Sequence, residues 1–376
     1  MTIAIWAAGT FSLVATASHI ASILIATRRC RKGGRAPRAP RHTPPISLIR
    51  PVCGIENHGE DTLRSAFHLD YPRYEIIFCA ASAHDAVVPL VRRLIAAYPD
   101  VPARLLIGNE AISDNPKLNN VYKGWRAAEH DWVVMADSNV LMPRDYIERL
   151  LAAWRADTGL VASPPVGSRP DGFWAELECA FLNTYQARWQ YVADSIGIGF
   201  AQGKSMLYRK SLIEQAGGLR ALGAEPAEDA ATTKVVRGAG LRVRLVEQPF
   251  EQPLGYRRVR DVWARQLRWA RLRQASFKRY YLLEILAGGI WPLLAATYVA
   301  AGLGMPLAGF FAFAAVWYGT EAVLAYAAGW HLTLRSPLAW MLRDLLLPVL
   351  WIGGLMGTEV VWRGNHIRTA ESESTI

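Results

Sequence analysis

Cysteine is scarce in this sequence of 376 residues, and its spacing argues against one class of site. The chain has four cysteines, Cys30, Cys53, Cys79 and Cys179, and no two of them have C-x-x-C spacing. Zinc sites commonly use that spacing, so we expect no zinc and predict free thiols in a reducing compartment.

Two nucleotide-binding signatures are also missing. The chain contains neither G-x-G-x-x-G nor G-x-x-x-x-G-K-[ST]. The triplet Gly203-Lys204-Ser205 lacks the upstream glycine that a phosphate-binding loop needs. Sites for nicotinamide dinucleotides and for ATP are therefore disfavoured.

Acidic residues are too few to balance the basic ones, and the formal net charge is +10. A nucleic-acid-binding protein could share that charge. Here, however, 52% of the residues are hydrophobic, and arginines stand beside apolar segments and aromatic residues. That pattern suits anionic lipid headgroups better, so we expect membrane lipids and no nucleic acid as partners.

An apolar segment at the N-terminus predicts a membrane anchor over residues 1–27. Residues 2–26 carry no acidic or basic side chain except His19, and they are long enough to cross about 30 Å of hydrocarbon. A secretory signal peptide would have basic residues before its apolar run, whereas here they follow, in the basic, proline-rich linker 28–45. The positive-inside tendency then places the N-terminus outside and the chain after Arg28 in the cytoplasm.

Three more apolar stretches form a predicted C-terminal membrane region, residues 282–362: they are 282–303, 306–330 and 337–362. The third carries Arg343 and Asp344 near its start, so it begins as an interfacial turn, or is partly re-entrant, if it does not span. Three spans here would place Arg363 and Arg368, at the start of the polar tail 363–376, outside the cell. Because that opposes the charge rule, the number of spans stays open.

The segment 46–255 begins as an alternation of strands and helices. Strands are predicted at 46–52, 74–81, 103–107 and 132–136, with helices at 62–69, 86–98, 117–128 and 144–156. Continuous apolar strands between amphipathic helices indicate a mostly parallel sheet that is covered on both faces. Such sheets bind ligands beyond the carboxyl ends of their strands.

Asp137-Ser138-Asn139 follows a predicted strand directly. A carboxylate at that position could hold Mg²⁺ or Mn²⁺, and the metal could bridge the phosphates of a nucleotide sugar. Asp, Ser and Asn are equally good helix N-caps, and Pro143 stands near the next helix start. Both roles are compatible.

Glu228-Asp229 stands at the start of a predicted helix, 230–238. Carboxylates in a first turn often serve only the helix dipole. The alternative is a general base, because transfer of a glycosyl group to an alcohol needs a group that accepts the hydroxyl proton, and one carboxylate suffices when the anomeric centre is inverted.

Residues 256–281 form a predicted pair of basic amphipathic helices at the membrane surface. At helical spacing Arg265, Arg268 and Trp269 fall on one side, roughly opposite Trp263 and Leu267. The cations could meet lipid headgroups, and Arg268 could also point inward at a diphosphate, which its planar guanidinium suits.

Two weaker candidates complete the set. Lys117, in the helix that leads to the Asp137 strand, could contact a phosphate, although the preceding Asn115-Pro116 is also an ordinary turn. Asp85 follows the strand 74–81 and could meet a base or a ribose.

The order of these motifs resembles the ceramide glucosyltransferase family, a membrane branch of the inverting family-two glycosyltransferases. The resemblance extends over residues 46–281. It implies a glycosyltransferase A-type (Rossmann-like) α/β domain with N-terminal and C-terminal transmembrane helices. The matching positions are Asp85 for the aspartate associated with the nucleotide, Asp137 for the D-x-D region, Asp229 for the catalytic base, and Arg265, Arg268 and Trp269 for the (Q/R)-x-x-R-W signature.

The resemblance also implies partners and a location. These are a UDP-sugar donor, a ceramide acceptor, Mg²⁺ or Mn²⁺ as cofactor, and a multi-pass bacterial protein of the inner (plasma) membrane with a cytoplasmic catalytic domain. One position departs from the family pattern: Asn139 stands where a full D-x-D has its last aspartate, which leaves one carboxylate fewer for the metal.

Other functions stay open. The same chemistry could act on a hopanoid or a polyprenyl phosphate. A processive polysaccharide synthase shares the R-W signature but threads its polymer through a larger channel. A non-catalytic scaffold or a transporter is a further alternative, although a transporter concentrates its polar groups within its spans.

Overall fold

The computed structural model describes residues 2–31, 43–357, 359–362 and 365–368. Most of the predicted basic linker, Arg363 and the end of the polar tail lie outside these residues.

The described chain forms eleven strands: β1 Ile46–Val52, β2 Tyr74–Ala80, β3 Ala103–Ile107, β4 Trp132–Ala136, β5 Thr158–Ala162, β6 Val166–Asp171, β7 Ser205–Arg209, β8 Arg242–Leu245, β9 Glu251–Tyr256, β10 Glu359–Trp362 and β11 Asn365–Arg368. The main sheet has the order β3-β2-β1-β4-β7-β5-β8. Only β7 runs antiparallel to its neighbours. The prediction of a mostly parallel sheet is confirmed.

Fifteen α-helices are described: α1 Thr2–Cys30, α2 Gly59–Ser65, α3 Val88–Ala97, α4 Pro116–Ala127, α5 Tyr146–Ala152, α6 Phe173–Ala180, α7 Arg188–Ser195, α8 Lys210–Gln215, α9 Gly218–Leu222, α10 Glu228–Gly238, α11 Val259–Ser276, α12 Lys278–Leu283, α13 Ile290–Gly302, α14 Pro306–Ala328 and α15 Ser336–Leu355. A π-helical stretch, Phe181–Ala187, joins α6 to α7.

The sheet is buried on both faces because most side chains of its central strands are apolar. Leu48 and Phe78 pack on one face, while Ile49, Ile77 and Met135 pack on the other. The carboxyl ends of β1, β2 and β4 therefore meet at one edge. A second, two-stranded sheet of β6 and β9 leads into α11 beside that edge.

Helix α1 has 29 residues and ends at Cys30, past the predicted bound of 27. Its last turns belong to the sheet domain, where Ile23, Ala26 and Cys30 are buried against the sheet. Arg29 forms an ion pair with Asp194 at 2.9 Å. The sheet domain is thus packed directly on the end of α1.

Within the described part of the chain, four helical segments have the length and composition to cross a membrane: Ile3–Cys30, Lys278–Gly302, Pro306–Ala328 and Ser336–Leu355. The second is interrupted, because α12 ends at Leu283 and α13 starts only at Ile290. The stretch expected at 337–362 also differs: its helix ends at Leu355, and β10 follows.

The start of α15 is helix, not the interfacial turn that its charges suggested. Arg343 donates to both oxygens of Glu321 on α14, at 2.9 and 2.8 Å, and to Asp344 at 2.9 Å. Asp344 in turn accepts from Gly289 N at 2.7 Å. Because these buried charges are paired, the apolar helix can hold them.

Candidate active site

Asp137 lies directly after β4, at the edge where the parallel strands end. Its Oδ1 is 2.7 Å from Lys117 Nζ and its Oδ2 is 2.8 Å from Lys204 Nζ. Burial opposes the charged form of Asp137, but the two ammonium groups outweigh it and hold its pKa well below the ordinary value. The carboxylate does not cap a helix, because α5 begins only at Tyr146.

The turn after β4 is shaped by a buried arginine that the motifs did not reveal. Arg50 on β1 is fully buried, and its Nη2 donates to the carbonyl oxygens of Asp137 (3.0 Å), Ser138 (3.2 Å) and Val140 (3.1 Å). These bonds fix the backbone from which Asp137 and Asn139 project.

Lys117 stands in the first turn of α4 and connects two carboxylates. Its Nζ is 2.6 Å from Glu228 Oε1 as well as 2.7 Å from Asp137. Asn115 caps α4 by accepting from Lys117 N, and its amide donates to Glu228 Oε2 at 3.1 Å. Asn115 therefore caps the helix and at the same time helps to place Lys117 beside the two carboxylates.

Asp229 accepts its hydrogen bonds from backbone N–H groups, and among the described residues no side-chain cation donates to it. Its Oδ2 accepts from Gly203 N at 2.8 Å and its Oδ1 from Ala230 N at 2.8 Å. Burial, and then the neighbouring Glu228 charge, raise the pKa of Asp229 to about 6. A carboxylate with that pKa can accept a proton near neutral pH and still release it.

The basic helix predicted at 256–281 is α11 with α12. Arg265, Arg268 and Trp269 all line the same cavity as Asp137 and Asp229. Arg265 does not pair with Asp137 or Asp229. It pairs instead with the fully buried Glu178, which also lies 3.3 Å from Arg257.

Asp85 lies near the cavity but is not one of the residues that line it. Its Oδ1 accepts from Gly54 N at 2.8 Å and from Val87 N at 2.9 Å. It thereby holds the loop after β1, whose Cys53 and Glu56 do line the cavity.

The cavity has a volume of about 850 Å³, within the range of small-molecule and cofactor sites. At one end lie Asp137, Lys117 and Glu228, and at the other Arg273 and Glu284, where α11 turns into α12. It thus extends from the sheet edge to the second of the four apolar helical segments, Lys278–Gly302.

Two oxygen-bearing side chains of the site, Asp137 and Asn139, suit a divalent cation. Among the described residues, no three His, Cys, Asp or Glu side chains form a ligand set. Asp137 Oδ2 and Asn139 Oδ1 nevertheless converge on one cation, the Lys204 ammonium, at 2.8 and 3.4 Å. Mg²⁺ is commonly held by one or two such oxygens together with substrate phosphates, so these two residues suit a metal that arrives with a diphosphate.

Sequence reasoning missed Lys204, Arg50 and Glu178. Lys204 belongs to the triplet Gly203-Lys204-Ser205, whose sequence suggests only a comparison with phosphate loops. It reaches Asp137 because β7 pairs antiparallel with β4, which places Ser205 opposite Ala136. Glu178 stands in an apolar helix with no motif around it.

The fold is similar to that of a solved glycosyltransferase. The chain superposes on a mannosyltransferase from Pyrobaculum calidifontis, solved with GDP-mannose and Mn²⁺, with a TM-score of 0.52 and 20% identity, over 93% of this chain and 98% of that one. At that identity the likeness concerns the fold, a glycosyltransferase A-type domain with apolar helices.

The family follows from the sequence match. The family model described as glycosyl transferase family 21 matches residues 14–375, and the chain belongs to that family. Ceramide glucosyltransferase 3 of Caenorhabditis elegans is 26% identical over 87% of this chain and 73% of its own length. The ceramide glucosyltransferase of Komagataella phaffii is 26% identical over 86% of this chain and 82% of its own length. The predicted membership of the ceramide glucosyltransferase family is confirmed, and the protein is a membrane glycosyltransferase.

Proposed function

We propose that this glycosyltransferase moves a hexose from a UDP-sugar to the primary hydroxyl of ceramide, with inversion of the anomeric centre. The observation that carries the proposal is one cavity in which a carboxylate with a pKa of about 6, Asp229, stands near the Asp137 group and the Arg268-Trp269 motif. The ceramide glucosyltransferase relatives support the acceptor.

In the proposed reaction Asp229 is the general base. It accepts the proton of the acceptor hydroxyl while that oxygen forms a bond to the anomeric carbon. The bond from the anomeric carbon to the diphosphate oxygen breaks, and UDP leaves with the electron pair. A single base acting opposite the leaving group inverts the centre and gives a β-glycoside from an α-linked donor.

The other residues would bind and stabilise the donor. Arg268 would meet the charge that develops on the leaving diphosphate, and Trp269 would pack against donor or acceptor. Asp85 would serve the nucleotide through the loop that it holds, and Lys117 would keep Asp137 and Glu228 in place. Arg265 would act beside them, oriented by Glu178.

Asp137 and Asn139 would hold Mg²⁺ or Mn²⁺, which neutralises phosphate charge and orients the donor when bound. The cytoplasmic side of an inner membrane is the proposed location of the domain, on the evidence of the basic residues that follow α1. A hopanoid or a polyprenyl phosphate is the alternative acceptor.

Asp229→Asn tests the assignment of the base. The amide keeps the size of the side chain but cannot take up the proton, so we expect transfer to fall at least a thousandfold, consistent with loss of a general base. UDP binding, measured by calorimetry, should stay within about threefold of wild type. Equal loss of binding and transfer would assign Asp229 a structural role instead.

A further inference from the structure

The end of the cavity that adjoins the membrane segments is formed by an elbow between two helices. Helix α11 ends at Ser276, and α12 begins at Lys278 after Phe277. Leu272 and Tyr280 line the cavity on the two sides of this elbow. Leu282, Leu283 and Leu286, which follow, are largely exposed, so an apolar surface leads away from the cavity toward α13.

A two-pronged ion pair stands at this elbow. Arg273 Nε lies 2.8 Å from Glu284 Oε1, and Arg273 Nη2 lies 2.9 Å from Glu284 Oε2. Both side chains line the cavity, and about a third of each remains exposed. Among the described residues of the elbow that line the cavity, Arg273 is the only cation. Its charge is already paired with Glu284, which lines the same cavity.

The Arg273–Glu284 pair affects which lipid headgroup can bind at the elbow. A phosphate needs cations that are not already neutralised, and beside Glu284 it would meet a like charge in a partly desolvated site. An uncharged headgroup meets no such penalty. Hydroxyl and amide N–H groups can donate to the Glu284 oxygens, since each carboxylate oxygen accepts more than one hydrogen bond.

We propose that the Arg273–Glu284 pair is a selectivity site that admits a lipid with an uncharged hydroxyl- and amide-bearing headgroup and rejects lipid phosphates. The inference rests on the proposed transfer to a lipid and narrows its acceptor, because it favours ceramide over a polyprenyl phosphate. The lipid chains would lie along the exposed leucines after the elbow.

The test compares two probes with the same chains and amide group: a short-chain ceramide, which has a free 1-hydroxyl, and its 1-phosphate ester, which is anionic there. Their binding to the detergent-solubilised full chain is measured by native mass spectrometry, without donor. Wild type should bind the ceramide at least tenfold more tightly, which is about 1.4 kcal/mol. Glu284→Gln leaves Arg273 unbalanced and should reduce that preference at least tenfold.

Two further variants separate charge from folding. Arg273→Gln/Glu284→Gln removes both charges and should restore much of the preference for ceramide. Asp157→Asn, which disrupts the remote pair with Arg244 at 2.8 Å, should leave the preference unchanged. Calorimetric UDP binding similar to wild type shows that each variant is folded.

The outcomes distinguish this inference from the proposed function. Equal binding of the two probes by wild type, or an unchanged ratio in Glu284→Gln, overturns the selectivity site even if ceramide is glycosylated. The predicted ratios in a protein that transfers no sugar to ceramide would uphold the site and refute the proposed reaction.

Discussion

Glu228 and Asp229 are consecutive carboxylates with different partners. Glu228 forms an ion pair with Lys117 at 2.6 Å. Within the described residues, Asp229 accepts hydrogen bonds from the backbone N–H groups of Gly203 and Ala230, and its burial together with the adjacent Glu228 charge raises its pKa to about 6. Two neighbouring residues in one helical turn thus acquire different chemistry from their surroundings.

This difference predicts the pH dependence of transfer. A base must be deprotonated, so the rate should rise about tenfold per pH unit below pH 6 and level off above it. The measurement is the transfer rate at saturating donor and acceptor between pH 5 and 8, with UDP binding followed over the same range. An acid limb centred near pH 4, the ordinary range of an aspartate, would contradict the assignment.

The Lys204 ammonium lies 2.8 Å from Asp137 Oδ2 and 3.4 Å from Asn139 Oδ1, the two residues proposed to hold the metal. Lys204→Met removes the competing cation, so affinity for Mn²⁺ without nucleotide should increase at least threefold. Electron paramagnetic resonance of free Mn²⁺ measures this without reference to activity. Lys210→Met, whose ammonium contacts Ala128 O away from the site, is the matched control; equal affinities in all three proteins would place the metal elsewhere.

At the scale of elements, the site depends on the loop that enters β7. Gly203 lies so close to the carboxylates that a Cβ there would be 2.6 Å from Glu228 Oε1 and 3.1 Å from Lys117 Nζ. Its N–H also donates to Asp229. The loop and the first turn of α10 therefore fit together only with glycine at this position.

Gly203→Ala should accordingly lower transfer at least tenfold, because the added methyl group must displace the loop or the Lys117–Glu228 pair. The matched control is Gly238→Ala at the end of α10, where a Cβ meets nothing within 4 Å. Steady-state rates with the thermal midpoint of each variant check this. Wild-type rates in Gly203→Ala would show that the loop tolerates displacement.

The first half of the catalytic domain could be predicted because its strands are apolar and its connections short. The bounds that the sequence predicts for β3 and β4 are the same as those in the structure, and Asp137 lies at a strand end as the sequence predicts. The helices were predicted with ends that differ by up to four residues, as for α5. Cap residues such as Asn115, with proline next to it, supplied the local signal.

The antiparallel insertion of β7 could not be predicted in the same way. Its neighbours β4 and β5 are distant along the chain, and the pairing of Ser205 with Ala136 leaves no trace in the local sequence. Lys204 therefore reaches the site by tertiary structure alone. The elbow between α11 and α12 likewise depends on packing: Tyr281 OH donates to Trp351 O at 2.8 Å, and Trp351 Nε1 donates to Tyr281 O at 3.0 Å.

At the scale of the molecule, buried polar contacts connect the apolar helices to the catalytic domain. His19 on α1 meets Arg188 on α7 at 2.5 Å. Arg343 on α15 donates to Thr184 of the π-helical stretch at 2.9 Å as well as to Glu321. Such contacts fix the depth of the cavity relative to the membrane segments, which a lipid substrate requires.

Loss of the Arg343 charge should therefore destabilise the folded protein. Arg343→Met leaves Glu321 and Asp344 buried without their cation, at a cost of about 3–5 kcal/mol. Glu321→Gln should cost less, because Asp344 still balances Arg343. Thermal unfolding in detergent tests the order, with exposed Arg335→Met as control; equal midpoints for Arg343→Met and the control would contradict it.

Transfer of a hexose to ceramide can be measured directly. Purified, detergent-solubilised protein is incubated with ceramide and either UDP-glucose or UDP-galactose, with Mg²⁺ or with chelator, and the lipids are analysed by mass spectrometry. We expect a hexosylceramide with at least one donor, and none with Asp229→Asn. UDP release without glycolipid would contradict ceramide as acceptor, and neither product from protein that is demonstrably folded would contradict the transferase itself.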